Sequence, residues 1–423
     1  MRNILRQVTK AAFLTITIYK NVKYCDAFSS VTASARRNED NIKNVKKTVS
    51  LITGANGYIG KEIIQTLLRK EVNDLLNKDN GEISLQHEII CLVRSSRIED
   101  ERQYWKSYMK VHCNDYDEKQ TICLNVLPYN MLDQGESLTK VLDNVFSNND
   151  SNIQETIKDT VVYHVASKFG PSENHTQTAL DNVKGTETIV RVLSKYPVTI
   201  RPRLILTSSM AAVRGTGQKP LFHESYYTHK DWNTMSKLGL NWGNSYQWSK
   251  CQSEKRAWEL AQLLHVDMTS LCPSFVFGPF SSTTKSQSYS IDLVSQWIKG
   301  ESAVQSRLCV DVRDVAMAHV MAAFKPQYAI GKRYIVSSEA RLPSKSVATV
   351  LKNVCKQNSG HILGNGESIF ADEDFDGGAI PIGEKEVDAT MRLKRDLDLV
   401  CRDVEDTMED MGKSILCRMK AND

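Results

Sequence analysis

From residue 47 onward, short apolar runs alternate with stretches whose apolar residues recur every three or four positions. Residues 47–52 read as a buried strand and Thr53-Gly54-Ala55-Asn56-Gly57 as a turn. Ile59, Ile63, Ile64, Leu67, Leu68, Val72, Leu75 and Leu76 then form one face of a helix. A polar, turn-rich surface loop is expected over 77–84, followed by a second strand over 88–93. Further strands are expected over 121–126, 160–166, Arg203–Thr207 and 268–271, with helices over 180–193 and 249–264 between the later ones. Such alternation implies an α/β, Rossmann-type doubly wound sheet, mainly parallel and covered on both faces.

After Gly278-Pro279 the pattern loosens into a Ser/Thr-rich loop over 281–290. Helices are expected over 291–298 and Val312–Phe324, a strand over Arg333–Val336, an acidic Gly-rich loop over 367–386 and a helical tail over 396–419. Segments that follow a main sheet build a smaller lobe over its carboxyl edge. The expected division is a presequence or disordered tail over 1–46 and a dinucleotide-binding Rossmann domain over 47–280. A substrate lobe with C-terminal helices takes 281–423, with a return of chain to the main domain.

Composition changes this picture mainly at the N-terminus. Up to Arg37 the only acid is Asp26, against Arg2, Arg6, Lys10, Lys20, Lys23, Arg36 and Arg37. The apolar stretch 11–19 is too short to span a bilayer, and the Ser/Thr/Arg-rich segment after it has transit-peptide composition. Asp26-Ala27-Phe28-Ser29 resembles the cleavage junction of plastid presequences in algae with complex plastids. The expected location is therefore an organelle, an algal plastid or a mitochondrion, and otherwise the cytoplasm. A formal charge of +4 spread along 423 residues does not favour nucleic-acid binding, and a mean hydropathy of −0.37 suggests no membrane span. Ten scattered cysteines without a C-x-x-C pair offer no metal site; Cys91, Cys123 and Cys272 read as buried thiols of a reducing compartment.

Thr53-Gly54-Ala55-Asn56-Gly57-Tyr58-Ile59-Gly60 is a T-G-x-x-G-x-x-G turn between a buried strand and an amphipathic helix. Gly54 permits the turn, Gly57 lets the backbone approach a pyrophosphate, and Gly60 lets helix and strand pack. The second strand ends in Val93-Arg94-Ser95-Ser96-Arg97, where an acid would bind a free ribose 2′-hydroxyl and an arginine a 2′-phosphate. Arg94, with Arg97 in support, tips the expectation to NADP(H) over NAD(H).

Tyr-x-x-x-Lys occurs four times, at Tyr19/Lys23, Tyr226/Lys230, Tyr246/Lys250 and Tyr328/Lys332. Only Tyr246/Lys250 opens a convincing helix, through Ala257, Leu260, Ala261 and Leu264, and there both side chains share one face. A lysine cation near a phenol favours the phenolate, so Lys250 is expected to lower the pKa of Tyr246 and make it an acid/base. Upstream, Arg203–Thr207 is a buried strand ending in Ser208-Ser209 at the carboxyl edge, where a serine can stabilise charge on a substrate oxygen.

Together these residues resemble the extended short-chain dehydrogenase/reductase family, within the NAD-dependent epimerase/dehydratase superfamily and nearest its dihydroflavonol-reductase-like and cinnamoyl-CoA-reductase-like branch. Further landmarks are Val162-Tyr163-His164-Val165-Ala166-Ser167, Asn182-Val183-Lys184-Gly185-Thr186, the segment 273–279 and Val312-Arg313-Asp314-Val315-Ala316. The resemblance implies a Ser209–Tyr246–Lys250 triad and a small-molecule carbonyl or alcohol substrate; a homodimer is compatible with it. It implies Ala166 and Ser167 beside the cofactor, Pro273 and Val276 against the nicotinamide, and Asn182 as a structural or proton-relay residue. The family often has Gly-Asp after the third strand, where this chain has Tyr129-Asn130-Met131, so Asn130 and Met131 take the adenine side. Flavonoid reductases carry an asparagine where this chain has Arg214, which argues against a flavonoid. The substrate pocket is expected from Lys168, Phe169, Met210, Arg214, Trp242, Phe280 and the loop through Ser290. The alternatives are a nucleotide-sugar epimerase with tightly held NAD, which Arg94 disfavours, a sugar dehydratase, for which Met210 and Ala211 supply no carboxylate, and a non-catalytic Rossmann scaffold.

Overall fold

Along the strand Val45–Thr53 (β2), Val49 and Leu51 enter one hydrophobic cluster and Ile52 the opposite one, all fully buried. A strand buried on both faces needs neighbours in the sheet and helices above and below it. The computed structural model supplies both; it describes residues 22–24, 45–69, 85–112, 120–147, 155–281, 288–357 and 379–422. The other strands are β1 (Val22–Tyr24), β3 (Leu85–Val93), β4 (Gln120–Pro128), β5 (Glu155–His164), β6 (Arg203–Thr207), β7 (Met268–Pro273), β8 (Phe275–Phe277), β9 (Cys309–Asp311) and β10 (Arg333–Val336). The main sheet runs β1-β4-β3-β2-β5-β6-β7-β10, parallel throughout, and β8 and β9 form a separate parallel pair.

Helices in chain order are α1 (Tyr58–Leu67), α2 (Ile98–His112), α3 (Glu136–Ser147), α4 (His175–Leu193), α5 (Met210–Val213), α6 (Trp242–Leu263) and α7 (Tyr289–Lys299). They continue with α8 (Val312–Phe324), α9 (Pro326–Ala329), α10 (Ser344–Gln357), α11 (Thr390–Leu397) and α12 (Val404–Asn422). One face of the sheet is covered by α1, α2 and α8, the other by α3, α4 and α6. A third core joins α7, α10 and α12 around the β8–β9 pair, making the smaller lobe. Strand order reverses between β2 and β5, which opens a crevice at the carboxyl ends of these strands.

Two expectations need amendment. Val22–Tyr24 falls within the 1–46 tail yet pairs with Ile122–124 of β4 at the edge of a seven-strand body. The cleavage-like junction at 26–29, the loop 77–84 and the apolar positions Val72, Leu75 and Leu76 lie outside the described residues. The tail expected as one helix over 396–419 is two, because Asp398 takes a left-handed φ of 52° and ends α11. β10 returns to the main sheet beside β7, so chain beyond residue 281 builds both lobes.

Candidate active site

The crevice is a cavity of about 1670 Å³, beyond the roughly 300–1,000 Å³ of an ordinary small-molecule pocket, so it has room for a dinucleotide and a second ligand. Gly54, Asn56, Gly57, Tyr58 and Ile59 line one end with Arg94, Asn130 and Met131. Ala166, Ser167, Phe169, Ser209, Met210, Arg214, Tyr246, Lys250, Pro273 and Val276 line the rest. Gly60 alone among the expected cofactor-binding residues stays off the wall. It packs where a Cβ would strike the Gly54 carbonyl, so its role is to let α1 lie against the turn.

The turn is tied from several sides. Gly54 has φ +67°, and an added Cβ would sit 3.0 Å from the Ala166 backbone. The Gly57 amide donates to the Gly54 carbonyl at 2.9 Å, and α1 starts at Tyr58. The Thr53 hydroxyl accepts from the amides of Val165 (3.1 Å) and Ala166 (3.2 Å), joining the loops after β2 and β5. His164 Nδ1 lies 2.9 Å from the same hydroxyl, and burial, aided by Lys250, pushes that imidazole down to about 3, so it stays neutral. The Tyr58 phenol donates to the Gly278 carbonyl at 2.7 Å and ties the turn to the smaller lobe.

Arg94 is exposed at the cavity rim without an ion pair among the described residues, whereas Arg97 pairs with Asp100 at 3.3 Å. Asn130 Oδ1 accepts from the Leu132 amide at 3.0 Å, which fixes the side chain on the rim. Met131 packs on Gly185, where a Cβ would collide with its side chain. Asn182 clasps Lys168, accepting from its amide (2.9 Å) and donating to its carbonyl (3.1 Å), which holds the loop after β5 open.

Asn241 caps α6 by accepting from the Asn244 amide at 2.9 Å, placing Tyr246 and Lys250 one turn apart on the cavity side. Ser209 caps α5 through the Ala211 amide at 3.1 Å. Burial pushes the Tyr246 phenol up to about 12, and the neighbouring Ser209 side chain pulls it part of the way back. This corrects the expected lowering by Lys250. Its Nζ donates to the Thr207 carbonyl at 2.8 Å, and burial takes the ammonium down to about 8, with Glu254 and Cys272 pulling upward.

Beneath this pair, the fully buried Glu254 accepts from Ser208 Oγ at 2.6 Å, from Ser270, and from Arg333 Nε at 2.8 Å and Nη2 at 3.1 Å. Burial drives its carboxyl upward, but Arg333 and the serine hydroxyls outweigh that and hold it below the usual range.

One expected substrate contact differs. Phe280 faces away from the cavity, packing under Arg418 at 4.2 Å in the α12 core. Arg214 lines the cavity as expected and pairs there with Glu386 at 2.6 Å. The sequence reading missed the rest of an aromatic wall: Phe169 meets Tyr246 at 4.6 Å, Tyr289 at 5.3 Å and Phe275 at 6.4 Å between centroids. It also missed Arg307 and Arg341, which line the same cavity. Nothing in their local spacing marks these residues, because the lobe that carries them folds over the sheet from a distance.

The NADPH-dependent methylglyoxal reductase GRE2 of Saccharomyces cerevisiae is 25% identical over 394 residues, covering 86% of this chain and 97% of that protein. Cinnamoyl-CoA reductase CAD2 of Medicago truncatula is 30% identical over 188 residues, 42% of this chain and 54% of that protein. The structure of yeast methylglyoxal/isovaleraldehyde reductase Gre2 complexed with NADPH superposes with a TM-score of 0.62 at 23% identity, covering 88% of this chain and 99% of that one. The model of the NAD dependent epimerase/dehydratase family matches residues 50–337, from the strand before the glycine turn to the strand that closes the sheet, and the chain belongs to that family.

Proposed function

We propose that this chain reduces a carbonyl of aldehyde, ketone or acyl-CoA type with NADPH, through Ser209, Tyr246 and Lys250, giving an alcohol from an aldehyde or ketone and an aldehyde with release of free CoA from a thioester. By its family it is an NAD(P)-dependent oxidoreductase, and relatives named as NADPH-dependent methylglyoxal reductase and cinnamoyl-CoA reductase support the direction and the cofactor. The observation that carries the reading is one cavity lined together by the glycine turn, an arginine at the end of β3, and Ser209, Tyr246 and Lys250.

The residues present fit the dinucleotide. Side chains at Gly54 and Gly57 would press on the Ala166 backbone and the Gly54 carbonyl, so the bare backbone leaves the amides at the start of α1 open to a pyrophosphate. Arg94, without an ion pair among the described residues, offers its guanidinium for a 2′-phosphate. Asn130 and Met131 take the adenine side, and Pro273 and Val276 the nicotinamide side. When bound, the dinucleotide supplies the hydride.

Tyr246, pushed up to about 12, keeps its proton at neutral pH and holds it where a substrate oxygen meets Ser209. A phenol remains a stronger acid than an alcohol, so it can protonate an alkoxide as that forms. The Ser209 hydroxyl stabilises the growing negative charge. Lys250 uses one N–H on Thr207 and has two further donors for a ribose hydroxyl.

The test is NADPH against NADH consumption over small aldehydes, ketones and acyl-CoA thioesters. Tyr246→Phe is expected to bind NADPH normally and to lose about 10²- to 10⁴-fold in kcat. Retained turnover in that variant rejects the proton-donor role, and tightly bound NAD in purified protein favours epimerisation instead. The basic, acid-poor segment before Arg37 supports an organellar address; cleavage at Ala27-Phe28 would remove β1 and leave the seven-strand body.

A further inference from the structure

We propose that the substrate carries, besides its carbonyl, an anionic group (a carboxylate or a phosphate) that is received by Arg307 with Arg214 on the lobe side of the cavity. This deepens the reductase reading and rests on it. Three guanidinium groups, of Arg214, Arg307 and Arg341, line the cavity that also holds Tyr246. Glu386 is shared between two of them, at 2.6 Å from Arg214 Nη2 and 2.7 Å from Arg341 Nε.

Arg307 differs from both. Its side-chain hydrogen bond goes to the neutral Gln305, and it has no ion pair with a carboxylate among the described residues. The Nε–H groups of Arg307 and Arg214 are buried without a hydrogen-bond partner there. Burial makes the Arg307 cation harder to keep; Tyr289 offsets this in part, while Arg214 and Arg341 add repulsion. A half-buried cation without a counter-charge favours an anion beside it, and a planar guanidinium fork matches a carboxylate or phosphate.

The path from the reacting group to this cation is apolar. The Arg307 guanidinium lies 5.6 Å over the Phe275 ring; Phe275 meets Phe169 at 6.4 Å, and Phe169 meets Tyr246 at 4.6 Å. A molecule with its carbonyl at Tyr246 and its carbon skeleton along this aromatic wall brings an anionic end to Arg307. The reaction balances as carbonyl compound plus NADPH and a proton giving alcohol and NADP⁺, the anionic group passing through unchanged.

The test uses the full chain and matched substrate pairs: an oxo-carboxylate against its primary amide, and a phosphorylated aldehyde against the unphosphorylated one. The charged member of at least one pair is expected to win by about 10- to 100-fold in kcat/KM, the range of a hydrogen bond between charged groups, mostly through KM. Arg307→Gln is expected to bring that ratio near one, and Arg307→Lys to leave it intermediate, with melting curves reporting the fold. A wild-type ratio at or below one in both pairs, or a ratio unchanged in Arg307→Gln, overturns the inference. Should no carbonyl compound be turned over, charged or neutral, the reductase reading falls by itself. Quenching of bound NADPH fluorescence by the carboxylate against the amide then decides the anion site, and equal quenching overturns it.

Discussion

Replacing Lys250 by Met is expected to idle the enzyme and yet to stabilise the protein without its dinucleotide. In the fold, burial holds the ammonium near 8 against 10.5 for an ordinary lysine. At pH 7 both the folded and the unfolded chain carry the proton, and the difference of 10.5 − 8 = 2.5 costs the fold roughly 3 kcal/mol at 1.36 kcal/mol per unit. Between pH 8 and 10.5 the unfolded chain binds a proton that the folded chain lacks, so wild-type stability climbs across that window and the cost fades. Met removes the charge but also the bond to the Thr207 carbonyl, a loss of about 1–2 kcal/mol with the carbonyl left unsatisfied. The net effect at pH 7 is a gain of about 1–2 kcal/mol, turning into a loss of similar size by pH 10.5. Denaturant melts of both proteins at several pH values read the crossing directly, and NADPH consumption reads the lost activity. A Met variant that is less stable at pH 7, or a difference that does not change with pH, refutes the buried-charge argument.

Two further substitutions probe other parts of the site. Arg94→Ala is expected to weaken NADPH binding about 10- to 100-fold, as loss of charge-assisted hydrogen bonds does, and to leave NADH nearly untouched; fluorescence titration with each cofactor measures this, and equal weakening of both contradicts a 2′-phosphate contact. Glu254→Gln leaves the Arg333 guanidinium buried without its counter-charge, and a loss of about 3–5 kcal/mol in unfolding free energy is expected near neutral pH. A loss below about 1 kcal/mol would show that the clasp between α6 and β10 contributes little.

The sheet was legible because its strands are buried on both faces and read as unbroken apolar runs; β6 and β10 match the sequence expectation residue for residue. The helix α2 was not, since its buried positions are Glu101, Trp105 and Met109, and a buried acid breaks an apolar periodicity. Lys61 explains that acid by pairing with it at 3.1 Å, a long-range fact that no local pattern carries. The glycine turn, Ser209, Tyr246 and Lys250 could be named because each ends a strand or opens a helix, so position along the chain encodes position in space. Apolar spacing starts α6 only at 249, whereas the capping residue Asn241 marks its true start at Trp242. The electrostatics of the pair could not be read, since spacing puts Lys250 near Tyr246 but only packing decides that its Nζ reaches Thr207 instead. Arg307 and the aromatic wall stayed hidden for a related reason. Their partners lie dozens of residues away, on a lobe whose docking has no sequence period.

The clasp of Arg333 on Glu254, together with the backbone bonds of Tyr227 with Glu386 and Asp388, bears on how this chain is made. Residues that emerge late during translation complete a site whose acid and phosphate turn emerged early. Until β10 joins β7, the carboxylate behind Lys250 lacks its counter-ion and the sheet edge at β7 is open. A chain folded only as far as β7 would expose that parallel edge and hold a carboxylate without its counter-ion, so docking of the late-emerging β10 completes the sheet and the ion pair together.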